Sequence, residues 1–296
     1  MLKFLPVFLL FIGFDLQALT IGSYNIRNFD YDERYRIRTN KPELSNIILE
    51  LGVDILSVEE INNTAAFEGF VAKSLPEFET ELSRCGGLGQ QHVGFVYNKA
   101  KIELLSFHED LSTSNPGTEG ACDTGSRPLA IGLFQVKATK QRLYGITVHL
   151  KAGSGGEALA KRKRQLEIIK NLISELKAKT GVKEFFIAGD FNTTNYLNRG
   201  DDYHMLTAFT KETDLVDMAQ GLGCSAYWWG GTDDDWEIPT LIDHVIVTKE
   251  LMGKKGSRAK VWGHCQKVNC QEASKQDLGV GYESVSDHCP VTATFE

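Results

Sequence analysis

Positions 19 to 26 alternate between apolar and polar residues in the manner of a half-buried strand. Leu44, Ile47, Ile48 and Leu51 then recur at helical spacing behind Asn40, a residue suited to capping that helix, and Gly52 stops it. The β-rich run 53–58 completes a strand–helix–strand opening. Further strands are predicted at 92–97, 101–107, 128–136 and 143–150, the meander expected of a sheet edge. After Gly153-Ser154-Gly155-Gly156 a helix carries Leu159, Leu166, Ile169, Leu172, Ile173 and Leu176 on one side. Its cluster 161–164 has two readings, a solvated basic face or a face that touches nucleic acid. The apolar run 184–188 and the closing strands 240–247 and 289–295 finish a pattern of two sheets packed face to face and flanked by helices.

Length and composition fit a single domain over residues 19–296: the chain has 296 residues, 42% hydrophobic and 24% charged, without repeats or a long linker. Residues 1–18 read as a signal peptide. Lys3 precedes an apolar run from Phe4 to Phe14, and Leu16-Gln17-Ala18 places the cut after Ala18. That run is much shorter than the ~20 residues a spanning helix needs. The expected destination is therefore periplasmic or extracellular, with no stable membrane insertion once the signal is removed. In such a compartment the six cysteines, Cys85, Cys122, Cys224, Cys265, Cys270 and Cys289, are expected to form disulfides. Cys85–Cys122 is the first pair expected, because both residues precede strands at one sheet end; Cys289, between His288 and Pro290, reads instead as a small buried hydrophobe. The net charge of −7 argues against a protein that holds nucleic acid by bulk electrostatics, and less against an enzyme that must release its product.

Candidate chemistry gathers where strands end. Gly189-Asp190-Phe191-Asn192 closes one strand, and Ser286-Asp287-His288-Cys289-Pro290 opens another. Hard oxygen ligands beside an imidazole that can move a proton are what metal-assisted phosphodiester hydrolysis requires. Ser23-Tyr24-Asn25-Ile26-Arg27-Asn28, Val58-Glu59-Glu60-Ile61, Thr147-Val148-His149-Leu150 and Leu241-Ile242-Asp243-His244 are further polar strand ends. Arg127 and Asn192 can donate to a phosphate oxygen, although Arg127 also reads as an ordinary surface ion pair. His244, one residue on from Asp243 along a strand, points to the opposite face and is expected to do no chemistry. His92, His108, His204 and His264 read as structural or solvent-facing. The acidic run 233–235 with Glu237 offers a Ca²⁺ site or a solvated loop; Tyr227-Trp228-Trp229 offers a stacking or lipid-contacting surface or plain packing.

In their order and their strand-end placement, these segments resemble the endonuclease/exonuclease/phosphatase superfamily, and within it the DNase I-like branch. The resemblance implies a four-layered α/β sandwich and a secreted Mg²⁺-dependent phosphodiesterase, with Mn²⁺ as a substitute and Ca²⁺ as a structural ion. It places the metal on Asn25, Glu60, Asp190 and Asp287, pairs His288 with Asp243, and sets His149 opposite as the second imidazole. Its abasic-site endonucleases lack a histidine there, so His149 points away from repair. In pancreatic-type DNase I a Glu orients the histidine matching His149; Gln91 is the expected counterpart here, a neutral amide that can hold the ring but cannot stabilise its charge. The implied activity is a largely sequence-nonspecific nuclease acting on DNA as a monomer. A sphingomyelinase-like phospholipid phosphodiesterase is the alternative, and a non-catalytic binding or toxin module on the same fold is the second.

Overall fold

The computed structural model describes residues 18–114, 122, 124–231, 234–252, 257 and 259–296. Apart from Ala18, the signal segment lies outside them, as does Asp233 of the acidic run.

Strand Leu19–Phe29 is buried along nearly its whole length, with an antiparallel neighbour, Val291–Phe295, on one side and a parallel one, Ile55–Ile61, on the other. His92–Asn98 and Phe78–Leu82 extend this sheet, and Ala259–Val261 closes its other edge, giving six strands. The second six-stranded sheet runs Leu215–Asp217, Asp243–Thr248, Glu184–Asp190, Arg142–His149, Leu129–Val136 and Ile102–Asp110. Glu184–Asp190 and Arg142–His149 are its parallel pair.

Period-two alternation sorts the side chains between layers. Ile21, Ile55, Val93 and Phe95 of the first sheet share a core with Ile131, Phe134, Ile146 and Phe186 of the second. Phe95 meets Phe134 edge-on, ring centroids 5.0 Å apart, across that interface. The opposite face of the first sheet, Tyr24, Leu56, Val58 and Val96, is covered by helices Lys41–Glu50 and Thr64–Ser74 through Leu44, Ile48, Phe67 and Val71. Asn40 caps the first of these helices by accepting from Glu43 N, and Asn63 caps the second by accepting from Ala66 N. Helices Gly156–Thr180 and Asp201–Thr213 cover the second sheet with Leu166, Ile169, Ile173, Met205, Leu206 and Phe209. The architecture is therefore the expected four-layered sandwich.

The basic cluster on the long helix needs correction. It is not uniformly solvated: Arg162 is 1% exposed, whereas Lys161, Lys163 and Arg164 face solvent. The Arg162 guanidinium donates to Asp202 Oδ1 at 2.8 and 3.0 Å and to the carbonyls of Lys151 and Gly153 at 2.7 and 2.8 Å. Asp202 in turn accepts from Thr194 Oγ1 and Asn195 N, so one buried ion pair ties the loop after His149 to the loop after Asn192.

All six cysteines are paired: Cys85–Cys122, Cys224–Cys270 and Cys265–Cys289. Cys289 is thus a disulfide partner rather than a lone hydrophobe, because the short helix Gly263–Lys267 brings Cys265 against the start of the last strand. Peptide mapping without reductant should recover these three linked pairs from oxidised protein. A free Cys289 thiol in that digest would overturn the third bond.

Candidate active site

The second sheet's register lines up three functional side chains. Asp190 is the cross-strand partner of His149 on one side and of Asp243 on the other, so three neighbouring strands end in one polar row. Gly189 makes this alignment possible: a Cβ there would overlap the Val148 carbonyl oxygen, and its φ of +146° suits only glycine. The first sheet contributes from across the sandwich. Its pairing shifts between Asn25 and Phe29 and between Val58 and Ile61, and these irregularities carry left-handed Arg27, Asn28 and Glu60, at φ +31°, +49° and +60°. Between the sheets the apolar core gives way toward this end to a polar layer, in which Thr147 Oγ1 lies 2.9 Å from Ser57 Oγ and Ser23 lies against Glu59.

Asp243 is fully buried and holds His288 Nδ1 at 2.9 Å. Ser225 fixes the carboxylate, donating to Oδ2 at 2.7 Å while its own oxygen accepts the Ile242 and Asp243 N–H groups. This leaves His288 Nε2 as the nitrogen able to exchange a proton. Burial opposes charge on the ring, but Asp243, with Asp190 and Asp287 near it, outweighs burial and holds the imidazole well above its usual range. His149 is the reverse: burial, with Arg127 and His288 nearby, pushes it well below that range. Its Nε2 lies 3.3 Å from Asp190 Oδ2 and 3.8 Å from Glu60 Oε1. Burial and the Asp243 charge raise Asp190 to about 7, and burial raises Glu60.

The predicted metal residues converge in part. Asp190, Asp243 and His288 present ligand atoms within 4.8 Å of one another, and Asn25 Nδ2 spans Glu60 Oε1 at 3.2 Å and Asp190 Oδ2 at 3.3 Å. Asn25 Oδ1, the atom that would ligate a cation, accepts instead from Arg27 N, so the amide must turn over to serve as an oxygen ligand. Asp287 is outside the three-residue cluster but close enough that its charge acts on Glu60 and His288, and it also lines an adjoining cleft with Arg27, Tyr282 and Glu283. Within this donor set the raised pKa values of Asp190 and Glu60 suit a hard divalent cation, whose charge would offset theirs.

Arg127 is drawn in toward the site rather than into a surface salt bridge, with the Glu60 and Asp190 charges acting on its guanidinium. It donates to Leu150 O at 3.3 Å and keeps a buried Nε without a partner among the described residues. Asn192, at φ +53°, donates to the same carbonyl at 3.1 Å, and its N–H binds Asp190 Oδ1 at 2.7 Å.

The expectation for Gln91 fails. Its amide donates to Asn28 Oδ1 at 2.9 Å, and His149 Nδ1 is buried without a partner among the described residues. The cause is the register shift before Ile61, which pairs with His92 and sets Gln91 beside the Asn25–Asn28 turn. Two residues escaped sequence reasoning. Ser225 has no periodic signal near Asp243 to reveal it, but Ser286, inside the Ser-Asp-His string, could have been found: its Oγ donates to Asn25 O at 2.7 Å and accepts His288 N.

His244 does no visible chemistry, being buried between Thr193 Oγ1 and Asp217 Oδ2. Glu237 is buried and paired with Lys275 at 3.5 Å. Tyr227 packs inside as expected of a core residue, whereas Trp228 and Trp229 stay about half exposed, at 47% and 50%.

No family model and no curated protein matches the chain by sequence. Solved structures match its fold. An endonuclease/exonuclease/phosphatase from Bacteroides vulgatus is 21% identical with a TM-score of 0.64, over 94% of this chain and 98% of its own. D. rerio TDP2 complexed with a single-strand DNA product is 16% identical with a TM-score of 0.62, over 95% and 99%. The human Nocturnin catalytic domain with bound sulfate is 12% identical with a TM-score of 0.62, over 94% of each chain. The chain thus has the endonuclease/exonuclease/phosphatase fold, DNase I-like, as its motifs imply.

Proposed function

We propose that this protein is an exported, divalent-cation-dependent phosphodiesterase whose preferred substrate is nucleic acid, with DNA cut at internal bonds irrespective of sequence. The observation that carries the reading is the convergence of two buried imidazoles, His149 and His288, on the carboxylates of Asp190, Asp243 and Glu60 at the strand ends of one sandwich. Binding of DNA by a TDP2 of the same fold supports the choice of substrate. Three disulfides support export, since such bonds persist in oxidising compartments.

Glu60, Asp190 and Asp287 would hold the cation, with Asn25 joining through its oxygen. A divalent cation held by them would supply Lewis-acid polarisation of a phosphoryl oxygen and offset developing negative charge. The chain's residues do the rest. Asp243 keeps His288 in one tautomer and supports its positive charge, so Nε2 can hold or release a proton at the reacting phosphate. His149, kept neutral by burial, can take one. Arg127 supplies a fixed guanidinium with an unspent N–H for a non-bridging oxygen.

One observation favours the phospholipid reading as a second: Trp228, Trp229 and Tyr35 line the cleft beside Asp287 together with Asp234, Asp235 and Glu283, and aromatic rings with carboxylates suit a quaternary ammonium headgroup. Supercoiled plasmid, RNA and sphingomyelin, each incubated with Mg²⁺ or with chelator, separate the two. Nicking of plasmid that chelator abolishes is the expected result, and sphingomyelin turnover without nicking would reverse the order. Glu60→Gln should fold normally and require more Mg²⁺ for half-maximal rate, because one anionic ligand becomes neutral while its shape is kept. An unchanged Mg²⁺ titration would remove Glu60 from the metal site.

A further inference from the structure

A second cavity, about 540 Å³, opens on the other side of the catalytic residues, between the long helix and the loop before Leu129–Val136. Its charge is one-sided. Arg127, Lys151, Lys161 and Arg164 line it, and no carboxylate does among the described residues, in a protein whose net charge is −7. The cleft beside Asp287, by contrast, is mixed, with five acidic side chains and three basic ones.

The cavity is built rather than a chance meeting of surface lysines. Gln165, 4% exposed, ties its walls together by accepting Lys151 N at 2.9 Å and donating to Thr113 O at 3.2 Å. Ser114 is 8% exposed, and its hydroxyl, like Arg127 Nε, is buried with no partner among the described residues. Two unspent polar groups in a wall that also carries three further cations are donors waiting for an acceptor. Arg127 joins this cavity to the reaction centre, since it shares the Leu150 carbonyl with Asn192.

We propose that this cavity binds a second phosphate of the substrate strand, the one next to the phosphodiester being cleaved. The proposal rests on the nucleic-acid reading above and narrows it: the substrate is a strand with at least one phosphate beyond the scissile one, held on the Lys161 and Arg164 side. A nucleic-acid strand carries a phosphate every few ångström, so a cation-lined cavity adjoining the site meets the next one. Two features favour a strand over an isolated anion: the cavity continues from the reaction centre through Arg127, and its outer cations, Arg164 and Lys161, lie one turn apart on an exposed helix face, with Lys161 paired only to the solvent-exposed Glu157 at 3.2 Å.

The test uses the whole oxidised protein and the double variant Lys161→Ala/Arg164→Ala. Both side chains are exposed, and neither enters the constellation at the strand ends. Binding of a fluorescent eight-nucleotide single-stranded DNA is followed by anisotropy in chelator, where no turnover is needed, across a salt series. Removing two phosphate-facing cations should weaken binding by about tenfold at low salt and flatten the slope of log K against log salt by about 1.4. Lys161→Arg/Arg164→Lys should restore both. The Mg²⁺-dependent rate on bis(p-nitrophenyl) phosphate, which has no second phosphate, should stay within about twofold of wild type. Wild-type affinity and salt slope in the double variant overturn the subsite, as does a wild type that binds no strand. Hydrolysis of bis(p-nitrophenyl) phosphate without plasmid nicking, in contrast, counts against the nucleic-acid function even if strand binding behaves as expected.

Discussion

Asp243→Asn lowers phosphodiester hydrolysis by about 10²- to 10⁴-fold, the range seen when a buried carboxylate that orients a catalytic imidazole loses its charge. The asparagine retains the size of the side chain. What changes is that the Asp243 charge no longer offsets the burial of His288. With the carboxylate present, the folded-state pKa of His288 stands above the ordinary value, so the proton is held through neutral pH and lost only well above 6.5. Without it burial dominates and the proton leaves at lower pH, so the alkaline limb of the rate profile moves toward acid. His288→Ala loses at least about 10²-fold and abolishes that limb. Rates measured from about pH 5 to 10 at saturating Mg²⁺ check both; an Asp243→Asn profile superimposable on wild type would detach the pair from the reaction.

Arg162→Ala should be the most damaging single change to stability. It leaves Asp202 buried without its cation, a situation that costs about 3–5 kcal/mol. Replacing both partners, Arg162→Met with Asp202→Leu, often costs little for a buried pair in isolation. Here it should remain destabilising, because the carbonyls of Lys151 and Gly153 and the Asn195 N–H all depend on the pair. Urea unfolding of the three proteins decides the matter, and a double variant as stable as wild type would show that those backbone groups find other partners. The loops concerned follow His149 and Asn192 directly, so residual activity of folded Arg162→Ala should fall further than the folded fraction alone explains.

Arg162 also shows where the amino-acid sequence stops being legible. Within the helix it is one of four consecutive cations, and local periodicity assigns such a run to solvent. Its partner lies 40 positions away, on a helix that the hydrophobic pattern did not reveal. Gln91 failed for a related reason: a β-irregularity changes which residue faces which across a sheet, and no local pattern announces it. The strand ends were legible because each carries its own chemistry, Gly189-Asp190 and Asp287-His288 being informative without knowledge of their neighbours. The layered sheets were legible as well, since apolar alternation reports burial directly. Asn25 lies between, correctly brought to Glu60 and Asp190 yet turned so that its nitrogen faces them.

The pairing of Val291–Phe295 with Leu19–Phe29 sets the timing of maturation. Thr20 and Thr294 meet across 274 positions, and His288 sits just before the strand that makes this return. Everything between Leu19 and His288 must therefore be synthesised before the second imidazole can reach the first. A nascent chain that has not yet reached His288 should therefore be inert toward phosphodiesters, whatever it has already folded. Contacts of such wide separation also form late, after local elements have condensed, because closing the intervening loop carries an entropic cost. Activity should appear as the last event of refolding, behind the recovery of helical signal, and a chain cut back to Pro290 should regain much of its helix content while never acquiring turnover.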